Sequence, residues 1–434
     1  MCTLMTLYNL ISFVGIFLLI GIGWVFSRQR RNMNWRAIAF GVAIQLVIGL
    51  VVFKVKAGTQ AFLWVNDGVV KVLETAAEGA KFVFGPLAIP AGQEKSLGFI
   101  LAFQAFPTII FFSALIAILY YYGVMNALIR GFAYVFTRLM RISGAESLVA
   151  ASNIFVGVEA NLTVRPYLDR MTPSELCTVL TAGMATVASN VLALYVFSLK
   201  DQFPTIAGHL ISASLMSAPA AIVMSKVLCP EEGRPDTLGI HVQPFYEREK
   251  NLFEAIINGA NSGVRMIVGI TALLIAVLGL VALTDLVLGA IGARVNPLVG
   301  LQGAWSLKAL CGYVFYPLTV VLGVPLEDIT TVSRIIGERL IVTEVTAYND
   351  LAAALAQGQL HVPARSAVIT TYALCGFTHL ASMAIFVGGV CALAPKRTSD
   401  VARVAVRALV AATLACLMTA CVAGTFFTEG SILF

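Results

Sequence analysis

The sequence predicts an all-α polytopic membrane protein with about eight transmembrane helices, two oppositely oriented re-entrant hairpins and an inverted repeat. Three observations support this fold class: the composition, a series of long apolar segments, and two similar stretches that each bury a carboxylate. Of the 434 residues, 59% are hydrophobic and only 12% are charged, and the mean hydropathy is +0.88. Because soluble domains carry roughly 25% charged residues, we expect this chain to reside in a bilayer.

The charge and cysteine patterns exclude several classes of protein. Basic side chains occur in short clusters between apolar segments, so the net charge of +6 reflects membrane topology rather than a nucleic-acid-binding surface. The eight cysteines form no CxxC pair and indicate neither a disulfide framework nor a zinc site. Residues 1–27 have no basic segment before their apolar run, which we expect to remain as a membrane helix.

Apolar segments long enough to cross a bilayer occur throughout the chain. The predicted spans are residues 10–26, 38–55, 97–121, 176–199, 203–228, 262–289, 364–393 and 401–427. Residues 56–94 and 124–141 mix apolar and charged side chains, so we expect amphipathic helices in the membrane interface. Residues 305–324 are apolar but interrupted by Lys308 and Pro317, and either a span or a surface helix fits them.

Two stretches place a carboxylate within otherwise apolar sequence, Glu159 in residues 153–167 and Glu344 in residues 336–348. A charge at mid-membrane depth costs several kcal/mol unless it faces a cavity and finds partners. Two such residues in similarly built segments therefore predict one polar site that both halves of the molecule contribute to.

We expect residues 146–169 to form a re-entrant hairpin with its tip near Gly157. Gly157, Asn161 and Pro166 argue against one continuous helix. A hairpin also places all of the basic loops on one side of the membrane, which a span would not. These loops are residues 28–36, 130–141, 165–170, 226–250 and 396–407. The same folding back is expected around Glu344, from the opposite face.

Each hairpin is followed by two spans, so the sequence predicts an inverted repeat. The predicted domains are residues 1–141 (scaffold and interfacial helices), 142–228 (first transport repeat), 229–304 (loop and scaffold helix) and 305–434 (second transport repeat). Polar residues interrupt the middle span of each repeat, at 185–190 and 375–382, which is typical of a broken helix. Inverted repeats with broken helices and a midplane site are typical of secondary transporters.

Two other functional classes fit the sequence less well. An intramembrane enzyme would need a nucleophile–base pair or a metal cluster, and the chain has neither an HExxH nor a GxSxG motif. A channel would show a pore-lining ring from oligomer symmetry rather than a site shared by two internal repeats. We therefore expect a transporter without enzymatic activity.

Several long segments also match a known family in sequence and order. They are SNIFVGVEANLTVRPYLDRMTPSEL at 152–176, TAGMATVASNVLALYV at 181–196, TEVTAYNDL at 343–351 and YALCGFTHLASMAIFVGGVCALAPKR at 372–397. These segments resemble the concentrative nucleoside transporter family. The resemblance implies a homotrimer in the plasma membrane (the inner membrane of a bacterium) that takes up nucleosides with a cation by an elevator-like motion of the repeat domain.

The resemblance also implies a cation site between the first hairpin tip and the break in the following helix. The matching positions are Asn153 and Thr186 through their side chains, and Val156 and Val187 through their backbone. Neutral oxygens of this kind suit Na⁺, especially where a helix break frees backbone carbonyls. Na⁺ is therefore the expected coupling ion.

By the same resemblance, two hairpin tips and two helix breaks form the nucleoside site. The implied substrate-binding residues are Val158, Glu159, Asn161, Val191, Thr343, Glu344, Phe377, His379 and Ser382. The family's first tip usually reads Gly-Gln-Thr/Ser-Glu; this chain is one residue shorter there and lacks the glutamine. We expect Glu159 to keep the carboxylate role toward the base and Asn161 to supply an amide.

Glu344 is expected to accept hydrogen bonds from ribose hydroxyls, since bonds to a carboxylate are the stronger kind. His379 stands where the family has an asparagine, and it either contacts the substrate or Glu344 or is a neutral ring bonded to a backbone carbonyl. H⁺ coupling through Glu159, Glu344 or His379 remains open, as does a related small polar solute in place of a nucleoside.

Overall fold

The fold is seen in a computed structural model of the chain. It describes residues 2–89, 94–246, 249–299, 305–428 and 433. These residues form helices and loops without a β-strand, which confirms the all-α prediction; an isolated bridge pairs Ser143 with Leu238. Residues 90–93 of the predicted interfacial segment and the predicted segment boundary at 300–304 lie outside the described residues.

In the described residues, six α-helices precede the first hairpin. Two of them are amphipathic. The other four form three apolar units, because a short helix of four residues directly precedes one of the apolar helices. The six helices are α1 (Cys2–Val25), α2 (Trp35–Lys54), α3 (Lys56–Phe84), α4 (Leu101–Gln104), α5 (Phe106–Tyr121) and α6 (Val124–Met140). α1, α2 and the combined unit α4–α5 are long and apolar enough to cross a membrane. α3 and α6 each bury one face and leave charged residues on the other, as their sequence pattern predicts.

The first repeat begins with a hairpin whose two arms differ in geometry. Its first arm is α7 (Gly144–Ser152), and its second arm is a 3₁₀ segment, Val158–Arg170, which contains Pro166. The tip between the arms includes Gly157, where the sequence predicts it. The remaining helices of this repeat are α8 (Pro173–Ala185), α9 (Ser189–Leu199) and α10 (Ile206–Leu228).

Two helices lead from the first repeat to the second, and the second repeat has the same order of elements. The connecting helices are α11 (Leu252–Val299) and α12 (Leu307–Val321). The repeat itself contains the hairpin helices α13 (Ile329–Arg339) and α14 (Glu344–Ala356), the broken pair α15 (Pro363–Leu374) and α16 (Leu380–Leu393), and α17 (Thr398–Phe426).

Helix length separates the elements that can cross a bilayer from those that cannot. Within the described residues, seven helices are long and apolar enough to span, counting α8–α9 as one. Both hairpins have arms of only 9 to 13 residues, whereas a span needs about 20. α12 has 15 residues, so the undecided segment 305–324 is a helix too short to span unaided.

A buried ionic cluster fixes the base of the first hairpin. Lys226 at the end of α10 pairs with Glu146 of α7, which also accepts a 2.8 Å hydrogen bond from the Thr178 hydroxyl. Glu231 lies 3.6 Å from the same ammonium group, and Ser174 accepts from it at 3.0 Å. The pattern of basic loops places Lys226 at the membrane surface, but its side chain is only 3% exposed because Glu146 neutralises it inside the protein.

The loop after α10 runs along the first hairpin and is bonded to both of its arms. Gly144 donates to the Thr237 carbonyl at 2.9 Å, and Phe245 donates to the Thr163 carbonyl at 3.0 Å. Residues 230–246 of this polar segment therefore lie across the first hairpin and do more than connect the two halves.

The helices before the first hairpin pack on different parts of the molecule. Asn9 of α1 donates to the Phe427 carbonyl after α17 at 3.0 Å, and the loop after α1 bonds to the end of α10 through Arg28. α5 packs mainly against α11, where Gly259 and Gly263 bring the two backbones close: a Cβ on either would come within 2.7 Å of α5 atoms. α1 and α2 thus lie on the repeat helices, whereas α5 lies between α11 and α9 of the first repeat.

The two helix breaks lie against each other. Gly376 has φ +130°, and a Cβ at this position would lie 2.7 Å from the Ala185 carbonyl oxygen at the first break. The Cys416 thiol of α17 lies 2.7 Å from the Cys375 carbonyl oxygen and 3.6 Å from the Ala185 oxygen. One side chain therefore contacts the freed backbone of both broken helices.

This contact makes Gly376 a sensitive position. We expect Gly376→Ala to lower the free energy of unfolding by roughly 1–3 kcal/mol, because the new methyl group meets backbone atoms and the φ value disfavours a side chain. Thermal melting of the purified protein in detergent measures the effect. Gly388→Ala is the matched control, since a Cβ there has no neighbour within 4 Å. Equal melting temperatures for the two variants would contradict the close contact.

Candidate functional site

Each hairpin tip is bonded to the helix break of its own repeat. In the first repeat, Ser189 at the start of α9 donates to the Phe155 carbonyl of the tip at 3.1 Å. In the second, Leu380 at the start of α16 donates to the Leu340 carbonyl at 3.2 Å. Since the two breaks also touch, two tips and two breaks form one continuous region between the repeats.

Glu344 is the best-defined group in this region. It is the first residue of α14, is 4% exposed, and accepts a 2.8 Å hydrogen bond from the Tyr195 hydroxyl on its Oε1. Nε2 of His379 lies 2.9 Å from its Oε2, which has no other hydrogen-bond partner among the described residues. The helix N-terminus adds a favourable field for the negative charge. The carboxylate is thus held by both repeats.

The hydrogen bonds around His379 indicate its tautomer. The backbone N–H of Ser382 donates to His379 Nδ1 at 3.2 Å, as part of a reciprocal cap on the first turn of α16. Nδ1 is therefore an acceptor, and the proton of a neutral ring lies on Nε2, facing Glu344. Of the interpretations of His379 that the sequence leaves open, contact with Glu344 is the one observed. The Ser382 hydroxyl also contacts the Phe377 carbonyl, so these predicted residues lie together.

Tyr195 belongs to this group, although the sequence analysis does not identify it. Its ring stacks on that of Tyr348 with centroids 4.6 Å apart, and both side chains are fully buried. Val191, a predicted residue, lies one helical turn before Tyr195 on the same face of α9. A buried tyrosine in an apolar helix normally finds a partner for its hydroxyl, and this rule is the signal that could have located it.

Glu159 lies at the first hairpin tip, apart from the Glu344 group. Its Oε2 is buried and has no hydrogen-bond partner among the described residues, and Tyr120 of α5 is close enough for an electrostatic interaction. Gly157 brings the tip close to the first break, since a Cβ on it would lie 3.2 Å from the Ala188 Cβ. No described hydrogen bond joins Glu159 to Glu344.

Asn161 and Val158 face the second broken helix. A Cβ on Gly389 of α16 would lie 2.8 Å from Val158 and 3.9 Å from the Asn161 amide nitrogen. Both amide atoms of Asn161 are buried and lack a hydrogen-bond partner in the described part of the chain. Further buried oxygens without a described partner belong to Asn190, Thr343 and Thr378. A buried polar group without a partner costs about 1–3 kcal/mol, so this concentration is typical of a ligand site.

The predicted cation-site residues are all buried and lie on the first tip and the first break. Asn153 follows α7 directly, and its amide nitrogen donates to the Val149 carbonyl at 2.9 Å. Its Oδ1 has no hydrogen-bond partner among the described residues. Thr186 donates to the Ala182 carbonyl at 2.9 Å, which leaves its oxygen able to accept or coordinate. Together with the backbone of Val156 and Val187, this is a set of neutral oxygens that suits Na⁺.

Three family models match parts of the chain. A family model described as "Na+ dependent nucleoside transporter C-terminus" matches residues 209–424, and the corresponding N-terminus model matches residues 14–87. A third model, "Nucleoside recognition", matches residues 102–202.

Curated relatives match almost the whole chain. Solute carrier family 28 member 3 of Mus musculus is 36% identical over 429 residues, which are 96% of this chain and 58% of that protein. Sodium/nucleoside cotransporter 1 of Rattus norvegicus is 35% identical over 98% of this chain and 65% of its own length. The chain thus spans about three fifths of these relatives. Transporter YutK of Bacillus subtilis is 35% identical over 95% of this chain and 98% of its length.

Solved structures of one transporter, CNTnw, match the fold. Its inward-facing substrate-bound state has a TM-score of 0.87 at 35% identity and covers 96% of this chain and 98% of that one. A variant of CNTnw in an outward-facing state has a TM-score of 0.86 at 34% identity, over 96% and 97% of the two chains. On these matches, the chain belongs to the Na⁺-dependent, concentrative nucleoside transporter family, whose members are multi-pass membrane transporters and not enzymes.

Proposed function

We propose that this protein imports nucleosides by symport with Na⁺. The observation that carries the proposal is Glu344, a buried carboxylate held by Tyr195 of one repeat and His379 of the other. A group held in this way at the junction of two inverted repeats is suited to a substrate that must be released on either side of the membrane.

Glu344 is proposed to bind the ribose hydroxyls. Each of its oxygens has one described neighbour, and each carboxylate oxygen can accept more than one hydrogen bond. Fixed acceptors of this kind discriminate against a sugar that lacks the matching hydroxyl, because the buried oxygen then stays unpaired. Thr343 directly precedes Glu344, and Ser382 is hydrogen-bonded to His379, so both are proposed to complete this part of the site.

The first tip is proposed to bind the nucleobase. Glu159 and Asn161 offer an acceptor and an amide without described partners. Val158, Val191 and Phe377 supply the apolar surfaces that flank a flat ring, as ligand sites usually require.

Na⁺ is proposed to bind at Asn153, Val156, Thr186 and Val187. A cation there would bond the Asn153 oxygen, which has no hydrogen-bond partner in the described part of the chain, and it would hold the first tip against the first break. Since Glu159 follows directly on that tip, ordering it would also order the base-binding groups. H⁺ is the alternative coupling ion, which the proximity of His379 to Glu344 supports.

Transport is proposed to occur by an elevator-like motion of the two repeats. The predicted domain boundaries lie near residues 142, 229 and 305, and the elements that repeat begin in the second half with α13, after the connecting helix α12. The packing of α1 and α2 on the repeat helices supports one change to the predicted scaffold: these two helices would move with the repeats. The fixed part would then contain α5 and α11. We further propose a homotrimer in the plasma membrane, as the family resemblance implies.

The test is uptake of radiolabelled uridine and adenosine into proteoliposomes, with an imposed Na⁺ gradient compared with an imposed pH gradient. We expect accumulation under the Na⁺ gradient, reduced about tenfold by Asn153→Ala because a buried ligand oxygen is lost. Asn126→Ala, which removes an amide from α6, is the matched control. Accumulation under the pH gradient alone would overturn Na⁺ coupling, and no uptake of either nucleoside would overturn the substrate class.

Glu344→Gln tests ribose recognition. The amide keeps the shape but loses the charge-assisted hydrogen bonds, so we expect the KM for uridine to rise about tenfold or more. The preference for uridine over its deoxy analogues should fall in parallel. Glu338→Gln is the control, since that carboxylate lies on the same hairpin but pairs with Lys308 at 2.8 Å. An unchanged deoxy discrimination in Glu344→Gln would contradict the assignment.

Tyr195→Phe tests whether the hydroxyl that holds Glu344 matters for binding. The ring and its stacking on Tyr348 are kept, so we expect the KM for uridine to rise about three- to tenfold with little change in melting temperature. In Tyr372→Phe the lost hydroxyl contacts Ser212 and His209 instead, and the KM should stay constant. Equal effects on KM would mean that Tyr195 has no special role.

A further inference from the structure

The two repeats correspond element by element, and one position differs in chemistry. In the first repeat, α7 ends at Ser152, the neutral side chain of Asn153 follows, and α8 ends at the break after Ala185. In the second repeat, α13 ends at Arg339 and α15 ends at the break after Leu374. The tip carbonyls bonded across the two breaks, those of Phe155 and Leu340, match each other, so Arg339 matches Ile154, the residue next to the predicted cation ligand Asn153.

Arg339 is buried without a carboxylate partner. It is 1% exposed, its Nη1 donates to the Ala373 carbonyl, and the guanidinium lies beside the Cys416 thiol. No ion pair joins it to an acidic residue in the described part of the chain, and the adjacent Glu338 pairs with Lys308 instead. A buried charge is costly unless other groups solvate it, so these neutral contacts must do so.

The contacted groups explain how a cation is solvated there. Ala373 lies in the last turn of α15, where its carbonyl oxygen would accept the N–H of Phe377 if the helix continued. The Tyr348 hydroxyl donates to the Thr371 carbonyl of the same turn at 3.1 Å. Carbonyls at a helix C-terminus carry partial negative charge, so the end of α15 favours a positive group.

The position of Arg339 matters more than its burial. Arg365 is also fully buried, and its described hydrogen bonds include those to the Gly323 carbonyl, the Asn9 amide oxygen and the Ser12 hydroxyl. That residue lies in the first turn of α15, far along the helix from the break. Burial of an arginine therefore does not by itself indicate a cation site in this chain. The indication is the position of Arg339 at the end of a hairpin arm, beside a broken helix.

We infer that Arg339 is a tethered cation. Its guanidinium holds the second tip against the second break, as the sodium ion is proposed to hold the first tip against the first break. This inference rests on the proposed function for its comparison with Na⁺. The second tip and the second break are then permanently held together by a covalently attached charge. The first tip and first break are held together only when an ion from solution is bound.

The role is positioning rather than contact with the substrate. Arg339 fixes the end of α13, and the tip that follows leads directly to Thr343 and Glu344. A permanent charge here would keep the ribose-binding carboxylate in place throughout the transport cycle. The base-binding tip would remain dependent on the coupling ion.

The test compares Arg339→Lys, Arg339→Met and Arg339→Ala with the matched pair Arg365→Lys and Arg365→Met, by Na⁺-driven uridine uptake and by thermal melting. We expect Arg339→Lys to keep at least about a third of the wild-type uptake, since a lysine supplies a point charge to the same carbonyls. Arg339→Met and Arg339→Ala should lose about tenfold or more. Methylguanidinium should restore uptake by Arg339→Ala, and its neutral analogue methylurea should not.

Four results would overturn the inference: wild-type uptake by Arg339→Met, equal rescue of Arg339→Ala by methylurea, loss of uptake by Arg339→Lys, or the same pattern of uptake in Arg365→Lys and Arg365→Met. If neither neutral variant can be purified, Arg339→Lys still decides through its uptake and melting temperature. Failure of the proposed function is separately visible, because wild type would then show no Na⁺-driven uptake and no Na⁺-dependent melting shift. The melting order of Arg339→Lys above Arg339→Met would test the tethered charge even then.

Discussion

Every polar group of the backbone has to be satisfied inside this protein, because a bilayer core offers no water to bond a broken helix. The two breaks lie against each other, and the Cys416 thiol is close to the carbonyl oxygens of Cys375 and Ala185. The hairpin tips accept hydrogen bonds from the backbone N–H groups of the first residues of α9 and α16. The candidate site lies between the two repeats because the irregular backbone of the tips and breaks is enclosed by protein there.

The two repeats use this arrangement differently. The second brings together a nearly complete hydrogen-bonded set, in which Tyr195, His379 and Ser382 support Glu344. The first has no such set around Glu159. Both repeats keep buried polar atoms without described partners, for example at Asn153 and Asn161 in the first and at Thr343 and Thr378 in the second. Unpaired groups of this kind raise the energy of the empty state, so a ligand that satisfies them binds more tightly.

The membrane helices, both hairpins and the two breaks could be predicted from the sequence, because apolar length and helix interruption are local properties. The partners across the repeats could not. Tyr195 reaches Glu344 over 149 positions of sequence, and Lys226 is neutralised by a glutamate 80 positions earlier rather than by solvent. Hydropathy also assigns α1 and α2 to the membrane without indicating that they pack on the repeats. The predicted ligand sets for Na⁺ and nucleoside remain predictions, since they come from matching motifs.

The contact between the breaks also constrains how such a sequence can diverge. Gly376, in the break after α15, and Cys416 of α17 meet at the Ala185 carbonyl. A Cβ on Gly376 would lie 2.8 Å from the Cys416 sulfur, so a larger residue at position 376 requires a compensating change at position 416. Among related chains, these positions should show correlated substitution, even though none of them is proposed to touch a transported molecule.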